Sequence, residues 1–320
     1  MIEIKDFTFP SSTGRNIIHA RIAEPEGEPR GIVQIAHGIT EHIGRYESFM
    51  RFLAENGFIA VGNDHLGHGR SFTDPSDLGF FAERNGWDRV VDDVDILHDI
   101  VSRDHRGLPY IFFGHSMGSF IVRTYAILHP SKPDLIILCG TGHLSAARAN
   151  AGCAAAAAAV KMFGVRRAGD MLNNIAFGSY NDGFENVRTN FDWLNSDPDE
   201  INRYIADPLC GFIPKIGLFR DMMNGIRFIT DPANIKKMNK DTPVLLLSGW
   251  EDPVGERGKG VRRAYKAFVD AGIKHVRIKL YPKARHELLN ERCRDEVKSD
   301  ILGFINEKLA LSAEAADKED

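Results

Sequence analysis

The sequence has few of the features that would indicate a disulfide-rich, membrane-spanning or nucleic-acid-binding protein. Its 320 residues include 4 cysteines, none in a Cys-x-x-Cys pair, which favours reduced thiols in a cytoplasmic protein over a disulfide framework. No apolar run reaches the ~18 residues that a membrane span needs, and residues 1–6 lack the apolar stretch of a secretory signal. The net charge of −4 offers no basic face, so no nucleic-acid partner is expected.

Short apolar runs alternate with helical patterns along much of the chain. Residues 2–25 predict a β-hairpin. Beyond it, continuous apolar runs predict buried strands at 31–36, 58–61, 110–113, 135–139, 244–247 and 275–281. Strands of this kind, separated by helices, indicate an α/β fold whose mainly parallel sheet is covered by helices on both faces.

The alternation of strands and helices stops between Cys139 and Val244. About a hundred residues without a clear strand are too many for an ordinary loop, and most of them have helical patterns, including the alanine run at 154–159. A helical insertion between the sixth and seventh strands is therefore expected. The predicted division is an α/β core at 1–142 and 236–311, a helical cap at 143–235, and a flexible tail at 312–320.

Gly114-His115-Ser116-Met117-Gly118 fits the pattern Gly-x-Ser-x-Gly, in which the serine lies on a sharp strand-to-helix turn. Both glycines are needed because side chains there would collide with the neighbouring strand and helix. The predicted strand before it and the helical pattern after it supply that context. Ser116 would stand above the sheet edge at a helix N-terminus, which favours developing negative charge. It is the candidate nucleophile, the alternative being a tight turn with an inert serine.

A serine hydroxyl becomes a good nucleophile only when a neighbouring base takes its proton. Of the 12 histidines, His286 is placed best, because it follows the last predicted strand and precedes the final helix. The alternative is a surface histidine in a basic loop. We predict His286 as the base.

An acid must fix the tautomer of that histidine and stabilise the imidazolium. Asp252 follows the strand predicted at 244–247 and is the candidate. Glu251 is its rival, since one residue of backbone twist would exchange them, and an aspartate before proline also caps turns. The order Ser, Asp, His along the chain is the order that an α/β-hydrolase uses.

Acyl transfer also needs hydrogen-bond donors for the tetrahedral oxyanion, each contributing about 3–4 kcal/mol. We assign one to the backbone N–H of Met117, directly after the nucleophile. The other is assigned to the N–H of Ile39, in the turn after the strand predicted at 31–36. A backbone donor leaves little signature in the sequence, so the prediction of this oxyanion hole depends mostly on the fold. The alternative is that His37-Gly38 forms an ordinary turn at the end of a strand.

Two further segments carry a family resemblance. His37-Gly-Ile-Thr-Glu-His-Ile-Gly-Arg-Tyr46 is similar to an H-G-x-x-E-H-x-x-R-Y segment, and the residues 64–71 are similar to a D-x-x-G-x-G-x-S loop. With the pentapeptide at 114–118, Asp252-Pro-Val and His286-Glu, they resemble the monoglyceride lipase and lysophospholipase branch of the α/β-hydrolase superfamily. That branch is also catalogued with the S33 serine aminopeptidases.

The resemblance covers nearly the whole chain and implies the α/β-hydrolase fold, with an eight-stranded, mainly parallel sheet and an inserted helical cap. It also implies that Ser116 is the nucleophile, His286 the base and Asp252 the orienting acid. Cap segments at 177–180, 191–194 and 207–211 look like bacterial members of the branch. The alanine-rich stretch 151–160 has unusually small side chains. If it lines the acyl groove, the groove should be wide there.

Apolar residues of the cap have two possible roles, packing the cap's own core or lining an acyl pocket. We expect the pocket role for about a third of them. These residues are Met162, Phe163, Leu172, Ile213, Leu218, Phe219, Met222 and Met223.

No metal or cofactor is predicted. The cluster Asp64, His65 and His68 and the acidic run 92–99 lack the spacing of a known metal site such as H-E-x-x-H. The acidic run is better explained as the solvated face of a helix. The glycine-rich segment 255–260 lacks Gly-Lys-Ser/Thr and is interpreted as a loop, not as a phosphate cradle.

Three functions remain on the sequence alone. The first is hydrolysis of an acyl ester, such as a monoacylglycerol or lysophospholipid, with transient membrane-surface contact through the cap. The second is an aminopeptidase or amidase with the same triad, which needs acidic residues at the cap mouth, such as Asp199, Glu200 or Asp207. The third is a non-catalytic binding protein, although such proteins often lose a triad member. Acyl length, headgroup and oligomeric state are left open.

Overall fold

The computed structural model describes residues 2–316, with side chains described for residues 2–311. Eight strands of this part of the chain form one sheet, in the order β1-β2-β4-β3-β5-β6-β7-β8. They are β1 (Ile4–Pro10), β2 (Ile17–Ala23), β3 (Ile32–Ala36), β4 (Ile59–Asn63), β5 (Tyr110–His115), β6 (Leu135–Cys139), β7 (Val244–Gly249) and β8 (Val276–Tyr281).

Strand direction divides the sheet into two parts. β1 and β2 form an antiparallel hairpin, and β2 is also antiparallel to β4. From β4 to β8 every neighbouring pair is parallel. The carboxyl ends of these parallel strands therefore meet at one edge, which is where ligands bind in open α/β sheets. The eight-stranded, mainly parallel α/β fold expected from the sequence is confirmed.

Helices cover both faces of the sheet. Successive side chains of a strand point to opposite faces of the sheet. Val33 and Ile35 of β3 pack with α1 (Glu47–Glu55) and α10 (Arg294–Ala316). Ile32 and Ala36 belong to the hydrophobic cluster on the other face. The α-helices of the described chain are α1 (Glu47–Glu55), α2 (Gly86–Asp104), α3 (Met117–Leu128), α4 (Ala146–Phe163), α5 (Asp170–Phe177), α6 (Pro198–Ala206), α7 (Ile216–Thr230), α8 (Pro232–Ile235), α9 (Lys259–Asp270) and α10 (Arg294–Ala316).

The cap, defined here as residues 143–235, contains α4 to α8. Its longest helix, α4, lies along α7, and its small residues allow the close approach: a Cβ on Gly152 would lie 2.3 Å from Cε of Met223. Ala149, Ala156 and Ala159 are buried in α4. One side of the alanine-rich stretch thus packs within the cap, whereas Ala154, Ala155, Ala157 and Ala158 are exposed.

In two segments the secondary structure differs from that predicted from the sequence. The segment 255–260, expected to be a loop, leads directly into α9. The apolar side of this helix was not predicted from the sequence, and Val261, Ala264 and Phe268 are buried on it. The tail predicted at 312–320 begins inside α10, and residues 317–320 lie outside the described residues, so its flexibility stays a prediction. Within the described chain, no helix has the length and apolarity to cross a membrane.

Candidate active site

Ser116 occupies the turn between β5 and α3. Its backbone angles are φ 51° and ψ −120°, a conformation that costs a non-glycine residue on the order of 1–3 kcal/mol. The close approach of the flanking chain explains the glycines: a Cβ on Gly118 would lie 2.0 Å from the carbonyl oxygen of Ala36, and one on Gly114 would lie 2.5 Å from that of Gly118. The strained turn therefore places the hydroxyl at the carboxyl edge of the sheet, at the N-terminus of α3.

His286 lies between β8 and α10, and its Nδ1 is 3.0 Å from Oδ2 of the fully buried Asp252. The other carboxylate oxygen of Asp252 accepts the N–H of Val254 at 2.8 Å, and Oδ2 also accepts the hydroxyl of Ser248 at 3.2 Å. The aspartate thus both caps a turn and faces the imidazole. Glu251, its rival from the sequence, is half-buried, and no ion pair joins it to His286 among the described residues.

The surroundings of His286 favour its charged form. Burial alone would lower the pKa of the imidazole, but the Asp252 carboxylate outweighs burial and raises the pKa above 6.5. His115, whose ring centroid is 4.7 Å from that of His286, behaves oppositely, because burial and the nearby His286 lower its pKa to about 4. Near neutral pH, His286 is the imidazole that can exchange a proton, and His115 stays neutral.

The structure brings Ser116 and His286 to the same cavity. The Ser116 N–H donates to the carbonyl of Cys139, the last residue of β6, at 2.9 Å. A Cβ on the next residue, Gly140, would lie 2.9 Å from Cε1 of His286. The end of β6 therefore supports both the nucleophile turn and the imidazole at one edge of the sheet.

The turn after β3 lies against Ser116. A Cβ on Gly38 would be 3.2 Å from Cβ of Ser116, and Ile39 lines the same cavity. The Gly38 N–H donates to Oε1 of the buried Glu41 at 2.5 Å. Within residues 2–316, the N–H groups of Ile39 and Met117 donate to no protein acceptor. Neither N–H is therefore committed to another protein acceptor in this part of the chain.

The cavity has a volume of about 410 Å³ and is closed on its far side by the cap. Of the eight apolar cap residues considered above, Ile213 is the one that lines it among the described residues, so the expected share of about a third was too high. Rings and amides form the cap side instead. They are Phe177, Phe191, Trp193, Tyr204 and Phe212, with Asn173, Asn174, Asn181 and Asn190.

Comparison with known proteins decides the family. A sequence model of the family described as serine aminopeptidase, S33, matches residues 27–293. The chain belongs to this family. The chain is 29% identical over 291 residues to a monoacylglycerol lipase of Mycolicibacterium smegmatis, covering 88% of this chain and 90% of the relative. It is 26% identical over 296 residues to human monoglyceride lipase, covering 90% and 85%.

Solved structures agree with this placement. The chain superposes with a TM-score of 0.89 and 32% identity on a thermostable carboxyl esterase from Bacillus coagulans, solved in complex with glycerol, covering 97% of this chain and 100% of that one. A lipase in an open form matches with a TM-score of 0.85 and 26% identity, covering 96% and 99%. The expected α/β-hydrolase fold and monoglyceride lipase branch are confirmed.

A buried ionic network beside the catalytic groups was not assigned a role from the sequence. Arg45 forms a fork with both carboxylate oxygens of Glu287, the residue after His286, and donates to Glu41 at 3.0 Å. Tyr46 donates to the other oxygen of Glu41 at 2.8 Å. Burial alone would raise the pKa of Glu41, but Arg45 holds it below its ordinary value. The network ties the turn after β3 to the loop that carries His286.

Ligand-type side chains also meet where the cap touches the core. His42, Asp207 and Cys210 have donor atoms within 4.8 Å of one another. However, Nδ1 of His42 accepts the N–H of Gly44 at 3.2 Å, so the ring proton is on Nε2, which donates to Asp207 at 2.9 Å. A protonated nitrogen cannot bind a metal, and this group is explained as a hydrogen-bonded contact between cap and core.

A second group, on α2, was considered from the sequence as a metal cluster. Asp95, His98 and Asp99 also have donor atoms within 4.8 Å of one another. The ammonium of Lys132 donates to Asp95 at 2.5 Å and to Asp99 at 2.7 Å. A positive charge therefore already occupies the position that a cation would take.

A larger groove of about 790 Å³ lies outside the catalytic cavity, between α2, α3 and the cap helices α4 and α7. Ala146, Ala149 and Asn150 of α4 line it, whereas no residue of the stretch 151–160 is among those that line the cavity of Ser116. The alanines of this stretch therefore do not widen the cavity that holds Ser116.

Proposed function

We propose that this protein is a serine hydrolase that cleaves the carboxylic ester of an acyl chain through an acyl-enzyme intermediate. Ser116 is the nucleophile, His286 the general base and Asp252 the acid that orients it. The observation that carries the proposal is a buried imidazole with a carboxylate 3.0 Å from its Nδ1, in the cavity that also holds a serine on a strained strand-to-helix turn. The names of its relatives support an ester as substrate.

The proposed reaction has two halves. The Ser116 hydroxyl adds to the ester carbonyl while His286 accepts its proton and Asp252 stabilises the imidazolium. The N–H groups of Ile39 and Met117 receive the negative charge on the carbonyl oxygen. The ester C–O bond then breaks, and the alcohol leaves with the proton from His286. A water deprotonated by the same imidazole attacks the acyl-enzyme, and the acid departs as Ser116 regains its proton.

An ester fits the cavity better than the amino terminus of a peptide. An aminopeptidase needs a carboxylate that is available for the substrate's ammonium group. The carboxylates that line the cavity, Glu41 and Glu287, are both paired with Arg45. Among the described residues, the three acidic cap residues considered from the sequence do not line it. We therefore favour ester over peptide hydrolysis.

The size of the cavity favours a short or medium acyl chain. A volume of about 410 Å³ holds roughly 14 non-hydrogen atoms at the ~30 Å³ that each water occupies in the liquid. That is close to the size of a glycerol ester of an eight-carbon acid. Apolar rings on the cap side suit the acyl chain, and asparagines suit a hydroxylated alcohol.

A transient membrane contact through the cap is part of this proposal. Exposed apolar side chains of the cap include Met162, which is 72% exposed, and Ile175, which is 69% exposed. Flotation with phosphatidylcholine vesicles tests it: the double variant Met162→Glu/Ile175→Glu should lose binding, whereas Leu311→Glu on α10 should not. A cytoplasmic location also stays a prediction, and the four cysteines are free thiols.

Replacement of the nucleophile tests the chemistry. Ser116→Ala should lower kcat by about 10⁵–10⁶-fold, since the serine acts as a unit with its base. The matched variant Ser102→Ala, on α2, should keep wild-type turnover. A fluorophosphonate should label the wild type and Ser102→Ala but not Ser116→Ala. An unlabelled wild-type protein would point to the non-catalytic alternative, and a Ser116→Ala variant with a tenth of the activity would exclude the proposed nucleophile.

A chain-length series tests the substrate class. Among monoacylglycerols, kcat/KM should rise with each methylene of the acyl chain, by up to about 0.8 kcal/mol per buried CH₂, until the cavity is full at about eight carbons. Amino-acid anilides measured in parallel should be hydrolysed far more slowly. A rate that still rises at sixteen carbons would contradict the size limit, and faster hydrolysis of anilides would favour the aminopeptidase.

A further inference from the structure

The oxyanion turn is contacted from the cap as well as from the core. Thr40, the residue after Ile39, has a φ of 54°, which is unfavourable for a β-branched residue and must be held by its surroundings. Glu41 and its partners hold the turn from the core side, at Gly38. The Thr40 side of the turn is held by residues of the cap.

Tyr204 of α6 supplies the central contact. Its hydroxyl donates to the carbonyl of Thr40 at 2.9 Å and lies 3.0 Å from Oγ1 of the same residue. The Gly211 N–H is shared between the Thr40 carbonyl, at 3.0 Å, and the Tyr204 oxygen, at 3.1 Å. One carbonyl of the oxyanion turn therefore has two hydrogen-bond donors, both from the cap.

The tyrosine itself is fixed in position. It is 4% exposed and packs with Trp193, Leu194 and Ile201, and the guanidinium of Arg45 lies 4.9 Å from its ring centroid. Burial raises the pKa of its hydroxyl, so the donor proton is retained at neutral pH. Next to it, the bond from His42 to Asp207 joins the same two parts of the chain.

We infer that Tyr204 is a positioning residue for the reaction: by holding Thr40 in its left-handed conformation it sets the direction of the adjacent Ile39 N–H toward the oxyanion. This inference rests on the proposed function. It gives the cap a part in stabilising the transition state, in addition to enclosing the substrate. An N–H that is misdirected weakens binding of the oxyanion but leaves binding of the neutral ester nearly unchanged.

Tyr204→Phe tests the inference because it removes the hydroxyl and keeps the ring. We expect kcat to fall about five- to twentyfold, which corresponds to one hydrogen bond, with KM within about twofold. Affinity for a trifluoromethyl ketone, whose adduct with Ser116 carries an oxyanion, should fall by the same factor as kcat/KM. Fluorophosphonate titration of active sites corrects each rate for any unfolded protein.

Tyr125→Phe is the matched control, because its hydroxyl also makes a buried hydrogen bond, to Asp95 at 2.8 Å, but on the far part of α3. It should lower thermal stability similarly and leave kcat unchanged. Thr40→Val, which loses only the hydroxyl bonded to Tyr204, should lower kcat about two- to threefold.

Three results would overturn the inference while wild-type hydrolysis stands. One is a Tyr204→Phe variant whose kcat and ketone affinity match the wild type. Another is a rise in KM at constant kcat, which would make Tyr204 a substrate contact. The third is an equal loss of kcat in Tyr125→Phe, which would show a general effect of stability. Absence of wild-type hydrolysis would instead contradict the proposed function.

Discussion

The two walls of the catalytic cavity are made of different kinds of side chain. The wall that comes from the sheet core includes the buried Glu41, Glu287 and His286, whose charged partners Arg45 and Asp252 support this wall without lining the cavity. The wall that comes from the cap consists mainly of rings and amides. From this difference we infer that the core wall holds the proposed reacting groups in position, whereas the cap wall sets the shape offered to the substrate.

The energetic consequences of substitution differ in the same way. Removing one partner of a buried ion pair costs about 3–5 kcal/mol, because the other charge is left buried and unpaired. Exchanging apolar side chains of similar volume costs less than about 1.5 kcal/mol. Changes in the core wall should therefore alter kcat, and changes in the cap wall should alter the preferred acyl chain, with Tyr204 as the exception inferred above.

Asp252→Asn should have the largest effect among changes that leave the nucleophile in place. An amide cannot stabilise the imidazolium and favours the wrong tautomer of His286, so kcat should fall by about 10⁴-fold. Steady-state kinetics on a p-nitrophenyl ester measure it. Glu251→Gln is the matched control and should stay within about twofold of the wild type. The reverse outcome would move the role of the acid to Glu251.

The pH dependence of the same pair sharpens the assignment. His286 must be neutral to accept a proton, so kcat/KM should rise with pH through its pKa, which lies above 6.5 because of Asp252. In Asp252→Asn the burial of the imidazole is no longer outweighed, so the midpoint should move to lower pH. A midpoint that does not move would mean that another group titrates in the profile.

Arg45→Gln should have the next largest effect, since it leaves Glu41 and Glu287 buried without their cation. We expect a loss of about 3–5 kcal/mol in the free energy of unfolding. Because the turn at Gly38 loses its support, kcat should fall about 10–100-fold. Urea denaturation and steady-state kinetics measure the two effects.

Arg277→Gln provides the control for Arg45→Gln. Arg277 forms a similar fork with Glu307, at 2.9 Å on both arms, but on the exposed surface. Its loss should cost less than about 1 kcal/mol and leave kcat unchanged. Equal effects of the two substitutions would mean that the buried network has no special part in holding the site.

The core wall could be predicted from the sequence because its positions follow from local rules. Ser116 is marked by a turn that admits only glycine at 114 and 118, and His286 and Asp252 follow strands whose carboxyl ends share one sheet edge. The sequence favours Asp252 over Glu251 but could not exclude Glu251, because the choice depends on the direction of one side chain in a turn. The pairing of Arg45 with Glu287, 242 residues away, leaves no local pattern either.

The lining of the cap wall could not be predicted for a related reason. Helical periodicity shows which face of a helix is apolar, but not whether that face meets another cap helix or the cavity. Met222 and Phe219 of α7 are buried in the packing of the cap on the core. The rings that line the cavity come largely from segments between helices, such as Phe191 and Phe212, where no periodicity exists.

Ala156→Leu should have the smallest effect on turnover. It tests whether the alanine-rich stretch belongs to either wall of the cavity. Ala156 is 1% exposed in α4 against α7 and does not line the cavity. Three extra carbons there should overpack the cap and cost about 1–3 kcal/mol in the free energy of unfolding. Ala155→Leu, one residue away on the exposed side of α4, should cost almost nothing, since leucine is a good helix former. Both variants should keep the wild-type kcat and chain-length preference. A shifted preference in Ala156→Leu alone would show that packing between α4 and α7 shapes the acyl site. The cap wall would then extend beyond the residues that face the substrate.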